Sequence, residues 1–228
     1  MRQLHQSLPQ RRLQLRVRKP LSELWFINKP KVEESFLAMA IMGIVFIQNL
    51  TMLSLWKDVL AWIEQTTGVT NYAVIFTVAF AVAVSVPVGM LALASRLAAR
   101  GNRENTVLNF ARFGYALIPL DIAAHLAHNM FHLLAEGSLV FSTVGSMFGL
   151  PAAAEATPLA SSGTILAVQL VILALGVLGS VYTVKRIAHR RFGDTPRRRA
   201  TTIPYVTLLG LLAAFNTYLF LLPMAHRM

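Results

Sequence analysis

Residues 121–136, which read DIAAHLAHNMFHLLAE, carry an aspartate and three histidines in an otherwise apolar stretch. These four ionisable residues recur every three or four positions: Asp121, His125, His128 and His132. At about 100° per residue, this spacing places all four within an arc of roughly 60° on one helix face. Ionisable side chains inside membrane helices are costly and usually line an interior site. We therefore take this set, called the histidine stripe below, as the first candidate for a functional site; Glu136 extends it by one turn.

The composition is that of an integral membrane protein. Of 228 residues, 55% are hydrophobic and only 14% are charged, whereas a soluble domain carries more charge and shorter apolar runs. The net charge of +11 does not indicate nucleic acid as a partner, because the basic residues fall between apolar segments. The sequence predicts an all-α, polytopic membrane helix bundle.

The chain contains no cysteine. This excludes disulfides, thiolate-bound zinc and any cysteine-held iron–sulfur cluster within the chain. No cleavable signal peptide is expected, because the first 34 residues are polar and basic and lack a compact apolar region.

Five apolar segments are long enough to span a bilayer at 1.5 Å per residue. Their predicted bounds are 35–56, 72–99, 106–135, 163–188 and 201–224. A basic arm, residues 1–34, precedes this membrane domain, residues 35–228. A short polar loop is expected after the first span, and a loop rich in Ala, Gly, Ser and Pro over 137–162. Pro119 predicts a kink just before the histidine stripe.

The distribution of basic residues predicts the orientation. Of the 21 Lys and Arg residues, eight lie in the arm and seven lie in the loop between the last two spans. Four more lie in or beside the turn between the second and third spans, counting the adjacent Arg112. Lys57 and Arg227 alone fall on the opposite side. The positive-inside rule then places the N-terminus in the cytoplasm and the C-terminus in the periplasm of a bacterial inner membrane. The arm either serves as a topology determinant or docks to anionic lipid or an acidic partner.

This orientation predicts the depth of each polar residue. Asp121 falls near mid-membrane, His125 and His128 in the outer half, and His132 near the outer surface. Amides on three other spans fall in the outer half as well: Asn49, Gln169 and Asn216. One polar site could gather them; alternatively, each amide ties its own helix to a neighbour. For the histidines, the corresponding alternative is a hydrogen-bonded network that only packs.

Three kinds of chemistry fit the stripe. Asp121 and His125, optionally with His128, could bind copper, zinc or iron; alternatively, Asp121 hydrogen-bonds His125 and fixes its tautomer. His132 lies about 10 Å along the axis from His125, too far for one metal to take all three histidines. A bis-histidine haem needs an opposite ligand, either His226 facing His132 or a histidine of a partner subunit. A quinol site needs no metal, because histidine and carboxylate accept the two hydroxyl protons.

Two stretches together resemble a known family. Residues 25–35, WFINKPKVEES, and residues 115–120, YALIPL, which lead into HLAHN ending at Asn129, are similar to the membrane portion of NapH/NosR-like membrane-bound 4Fe-4S ferredoxin proteins. The resemblance implies helices that relay electrons between the quinone pool and redox enzymes. Because the cluster cysteines are absent, it implies the membrane half alone, with a separate ferredoxin-like subunit docked near the arm or the loop at residues 197–199.

A second likeness concerns spacing only. Asp121 followed four residues later by His125 is similar to the copper-ligand pattern of the C subunit of membrane-bound methane and ammonia monooxygenases. We therefore expect a membrane subunit of a redox complex with a quinol or metal site at Asp121, His125 and His128. The residues expected around its cofactor are His132, Asn129, Asn49, Gln169, Asn216 and His226. The alternatives are a copper monooxygenase subunit and a non-catalytic anchor or assembly subunit.

Overall fold

The computed structural model describes residues 21–149, 151 and 157–223. In this part of the chain the secondary structure is helical: α1 (Ser22–Trp25), α2 (Val32–Met52), α3 (Leu55–Thr67), α4 (Tyr72–Asn102), α5 (Thr106–Phe113), α6 (Ile118–Phe131), α7 (Gly137–Met147), α8 (Ser162–Phe192) and α9 (Pro196–Leu221). A 3₁₀ turn, Gly114–Leu117, joins α5 to α6, and a π-helical turn, His132–Glu136, joins α6 to α7.

Five helical segments are long and apolar enough to cross a membrane. Four are the single helices α2, α4, α8 and α9; the third in chain order is Thr106–Met147, which runs through α5, α6 and α7. The prediction of an all-α bundle with five spans is confirmed, and the protein is a multi-pass membrane protein.

The connection between the first two spans is helical. The polar loop predicted there is wrong, because residues Leu55–Thr67 form the amphipathic helix α3. Apolar side chains at Trp56, Leu60 and Ile63 are four and three residues apart, so they form one apolar face of a helix. The chain bends at Leu53, whose backbone is extended, and Ser54 N–H donates to the carbonyl of Pro223 across the bundle at 3.2 Å.

The third span is longer than predicted. The expected loop over 137–162 is wrong in its first part, because Gly137–Met147 forms α7 in continuation of the span. This stretch, GSLVFSTVGSM, is largely apolar, and no proline interrupts it before Pro151. Residues 150 and 152–156 of the predicted loop lie outside the described residues.

Small residues set the closest helix contacts. A Cβ added at Gly43 of α2 would lie 2.4 Å from the carbonyl oxygen of Ala83 on α4. That carbonyl is four residues before Pro87, which has no N–H to donate to it. A Cβ added at Gly176 of α8 would lie 2.3 Å from that of Ala123 on α6. Both glycines let backbones approach, as is usual in membrane bundles.

Basic segments meet at one end of the bundle. Glu104, after α4, accepts hydrogen bonds from Arg112 of α5 and Arg191 of α8, each at 2.5 Å. Arg190 donates to the carbonyl of Trp25 in α1 at 2.9 Å. The segments that the charge distribution assigns to one side thus lie together, and we call this side the basic end. The part of the arm over residues 1–20 lies outside the described residues.

Candidate functional site

Pro119 organises the helix that carries the histidine stripe. Because proline lacks an N–H, the helix cannot form a regular hydrogen bond to the carbonyl of Tyr115, and that carbonyl accepts from Ile118 at the end of the 3₁₀ turn instead. Leu120 N–H donates to Ser180 Oγ on α8 at 3.0 Å. The predicted irregularity at Pro119 therefore takes the form of a tightened 3₁₀ turn, which ends where α6 begins at Ile118, and Pro119 lies in the first turn of α6.

The structure divides the stripe into two flanks. Asp121 and His125 line a groove on the outside of the bundle together with Asn129, which follows one turn later. His128 is buried instead, because its position differs from that of His125 by roughly 60° around the helix. Helix α2 contacts α6 directly at His128, whereas beside Asp121 and His125 the two helices leave a groove between them.

The groove on the outer flank is called the lateral groove. It has a volume of about 660 Å³ and lies between α2 and the part of the third span formed by the 3₁₀ turn and α6. Its walls are apolar: Leu37, Ala38, Ile41, Ile118, Ile122 and Leu126. Its polar residues are Glu34, Tyr115, Asp121, His125 and Asn129. A mostly apolar cleft with a few polar groups is typical of a small-molecule site.

Asp121 is the most unusual group of the lateral groove. Its side chain is only 4% exposed, and neither carboxylate oxygen has a hydrogen-bond partner among the described residues. Burying an unpartnered carboxyl is costly, and buried polar groups are nearly always paired. Asp121 is therefore available to a hydrogen-bond donor that enters the groove.

Tyr115 and Glu34 close the lateral groove toward the basic end. The Tyr115 hydroxyl donates to the carboxylate of Glu34 and accepts from the backbone N–H of Lys31 at 3.2 Å. Lys31 Nζ lies 3.1 Å from the other Glu34 oxygen. This hydrogen bond to Glu34 raises the pKa of the Lys31 ammonium above its ordinary value, because it favours the charged form. The groups join α2 to the turn before α6.

The inner flank is a hydrogen-bonded contact between helices. His128 Nδ1 lies 3.0 Å from Asn49 Oδ1, while Asn49 Nδ2 donates to the carbonyl of Val45 at 2.9 Å. Since the amide oxygen can only accept, His128 Nδ1 carries the hydrogen in this pair. Gln169 of α8 donates to the carbonyl of Ala127 at 3.0 Å. These side chains bind α6 to α2 and α8.

The remaining predicted residues within the described part of the chain neither line the lateral groove nor hydrogen-bond to the residues of the inner flank. His132 lies in the π-helical turn, where Nδ1 is 2.9 Å from Glu136 Oε2 and its ring is 5.1 Å from that of His128. Asn216 donates to the carbonyl of Leu212 and lies against Met42, away from the groove. His226 lies outside the described residues.

The geometry separates the three residues that were predicted as metal ligands. Among residues 21–149, 151 and 157–223, no group of three or more His, Cys, Asp or Glu side chains is placed to hold one metal ion. Asp121 and His125 face the lateral groove, whereas His128 is engaged with Asn49. The three side chains therefore do not form one metal site in this arrangement, and the metal site stays a prediction.

Two groove residues were not predicted as site residues. Glu34 and Tyr115 are far apart in sequence and meet only because α2 packs on α5 and α6. The one available signal was a glutamate in the first turn of an apolar span, which is unusual for a segment entering a bilayer.

No protein-family model matches this chain. No curated protein and no solved structure matches it either. The function is therefore inferred from the site itself.

Proposed function

We propose that this protein is a membrane subunit of a respiratory-type redox complex of the bacterial inner membrane, and that its lateral groove binds a quinone or quinol. One observation carries the proposal: the carboxyl of Asp121 is buried and has no hydrogen-bond partner in the part of the chain that the structure describes, yet it borders an apolar groove open at the surface of the bundle. A quinol supplies the hydroxyl donor that this carboxyl lacks, and its ring fits the aliphatic walls.

His125 provides the second polar contact of the proposed site. It follows Asp121 by four residues, so the two side chains are neighbours on the helix surface. Carboxylate and imidazole both take part in proton transfer at neutral pH when a binding site tunes them. Asp121 and His125 can thus each hydrogen-bond an oxygen of the same ring or pass its proton onward.

The proposed reaction is a two-electron exchange. A bound quinol loses two electrons and two protons to become a quinone; the protons leave through Asp121 and His125, and the electrons pass to a redox partner protein. Because this chain has no cysteine, a cluster-bearing partner of the ferredoxin type, or one that carries another redox centre, has to accept them. In the reverse direction, two electrons from the partner and two protons reduce a bound quinone to the quinol.

The quinol proposal fits the geometry better than the copper alternative. A copper site at Asp121, His125 and His128 would need His128 to leave Asn49 and turn across the helix face. Quinol binding requires only groups that already face the groove. No contact in the described residues favours a monooxygenase over this assignment.

The test is quinone binding by the purified protein in nanodiscs. Asp121→Asn and His125→Gln should each weaken binding of a ubiquinone or menaquinone analogue at least tenfold, while His132→Gln, a histidine of the same stripe outside the groove, should retain it. Unchanged binding in both groove variants would contradict the proposal. Metal analysis and an optical spectrum complete the test, because a preparation without quinone, metal or haem would indicate the anchor role.

A further inference from the structure

A second cavity lies between α8 and α9 at the basic end. It has a volume of about 570 Å³ and is called the basic cleft below. Its polar rim consists of Lys185, Arg186, His189, Arg198 and Arg199. Tyr182 and Ile203 form its apolar side. The cleft thus has several basic side chains on one side and apolar side chains on the other. It lies at the basic end, where α8 and α9 reach the surface of the membrane.

The positive charge of the basic cleft is poorly compensated. The carboxylate of Asp194 pairs with part of the rim: it accepts a hydrogen bond from Arg198 and lies 3.6 Å from His189 Nδ1. Lys185 and Arg199 have no ion-pair partner within the part of the chain that the structure describes. At least two cations are therefore available to an anion that enters the cleft.

Arg186 is held in place by aromatic rings. Its guanidinium carbon lies 5.5 Å from the ring centre of Trp25 and 5.9 Å from that of Tyr182. Such contacts orient a guanidinium while leaving its N–H donors free to bind an oxyanion. The rim is thus partly preorganised for a phosphate group.

The surface that continues from the cleft is apolar. Leu178 and Leu175 lie one and two turns before Tyr182 on the same face of α8, and they are 66% and 64% exposed. On α9, Leu211 lies about two turns after Ile203, and both are exposed. Two exposed aliphatic rows therefore extend from the basic rim along the membrane-spanning parts of the helices.

We infer that the basic cleft binds an anionic phospholipid, with its phosphate against Lys185, Arg186 and Arg199 and its acyl chains along α8 and α9. Charge complementarity and the adjoining aliphatic rows select a lipid over a soluble anion, because a free phosphate would use the rim alone. By the charge distribution, this lipid belongs to the cytoplasmic leaflet. The site is independent of the lateral groove, which lies against α2 and α6.

The experiment measures lipid retention with a charge-matched control. The full-length protein is purified with phosphatidylglycerol or phosphatidylcholine, and retained lipid is counted by native mass spectrometry. The wild type should retain phosphatidylglycerol selectively, and the K185Q/R199Q variant should bind it about thirtyfold more weakly, since each basic side chain near an anionic surface contributes roughly a factor of five. The R96Q/R100Q variant loses the same charge on α4, outside the cleft, and should bind within about twofold of the wild type.

Three results would overturn the lipid site. The first is equal lipid retention by wild type and K185Q/R199Q, and the second is an equal loss in R96Q/R100Q, which would indicate charge in general. The third is protection against heat by inorganic phosphate, with no lipid retained, which would assign the cleft to a soluble anion. If the double variant does not fold, Lys185→Gln and Arg199→Gln are measured singly, each with an expected loss of about fivefold.

Discussion

The imidazole Nδ1 of His128 lies 3.0 Å from the amide oxygen of Asn49, so a side chain of α2 holds one flank of the histidine stripe inside the bundle. The other flank, Asp121 and His125, faces the lateral groove. One helix face therefore serves two purposes: its inner part joins helices, and its outer part is available for a ligand.

Asn49→Ala should lower stability without affecting the groove. The substitution leaves His128 Nδ1 buried without its acceptor, and we expect a loss of about 0.5–2 kcal/mol in the free energy of unfolding, within the range for hydrogen bonds between membrane helices. Denaturant unfolding in detergent measures this loss. Thr77→Ala is the control, because Thr77 bonds only within the exposed face of its own helix. A double-mutant cycle with His128→Ala that shows no coupling would contradict the contact.

Asp121→Leu should stabilise the protein while removing quinone binding. The aspartate carries two buried oxygens with no hydrogen-bond partner among the described residues. Leucine has the same branching and the same number of side-chain heavy atoms without that cost, and the lateral groove gives room for its larger methyl groups. We expect a gain of about 1–3 kcal/mol in the free energy of unfolding. Thermal unfolding and quinone titration on the same preparation check both parts. A variant that is less stable than the wild type would show that the carboxyl has a partner in the folded protein.

Gly43→Ala should force α2 and α4 apart. The added Cβ would meet the carbonyl oxygen of Ala83 at 2.4 Å and the Cα of Val84 at 2.6 Å, and backbone atoms cannot turn away as a side chain can. We expect a loss of about 1–3 kcal/mol, typical of overpacking, measured by denaturant unfolding. Gly210→Ala is the matched control on α9, because a Cβ there meets nothing within 4 Å. Its stability should stay unchanged or rise by roughly 0.4–1 kcal/mol.

The predicted orientation can be tested with single cysteines, because the native chain has none. Glu64→Cys on exposed α3 should react with a membrane-impermeant maleimide in intact cells. Arg103→Cys, at the opposite end of α4, should react only after the membrane is opened. A reporter fused after His226 should behave as periplasmic. Reversed labelling of the two cysteines would overturn the five-span topology with a cytoplasmic N-terminus.

The residues themselves indicate where the spans lie. Long apolar runs separated by arginine-rich turns predict five spans and place the basic segments at one end, and the contacts of Glu104 with Arg112 and Arg191 are consistent with that grouping. The helix ends are less predictable. Helix α3 and the extension α7 form because their apolar residues have helical spacing, which a search for bilayer-length runs does not detect.

The sequence by itself determined the class of the protein, the number of spans and the helix face on which Asp121 and the histidines lie, because these depend on local composition and on the 3.6-residue period. Only the tertiary structure decided which of these side chains share a site. Their environment depends on where α2 crosses α6: His128 meets Asn49, whereas Asp121 borders a groove whose far end is formed by Glu34 and Tyr115. Such contacts join residues some 80 positions apart in the chain. A single sequence does not show which distant positions meet, because that depends on how the helices pack.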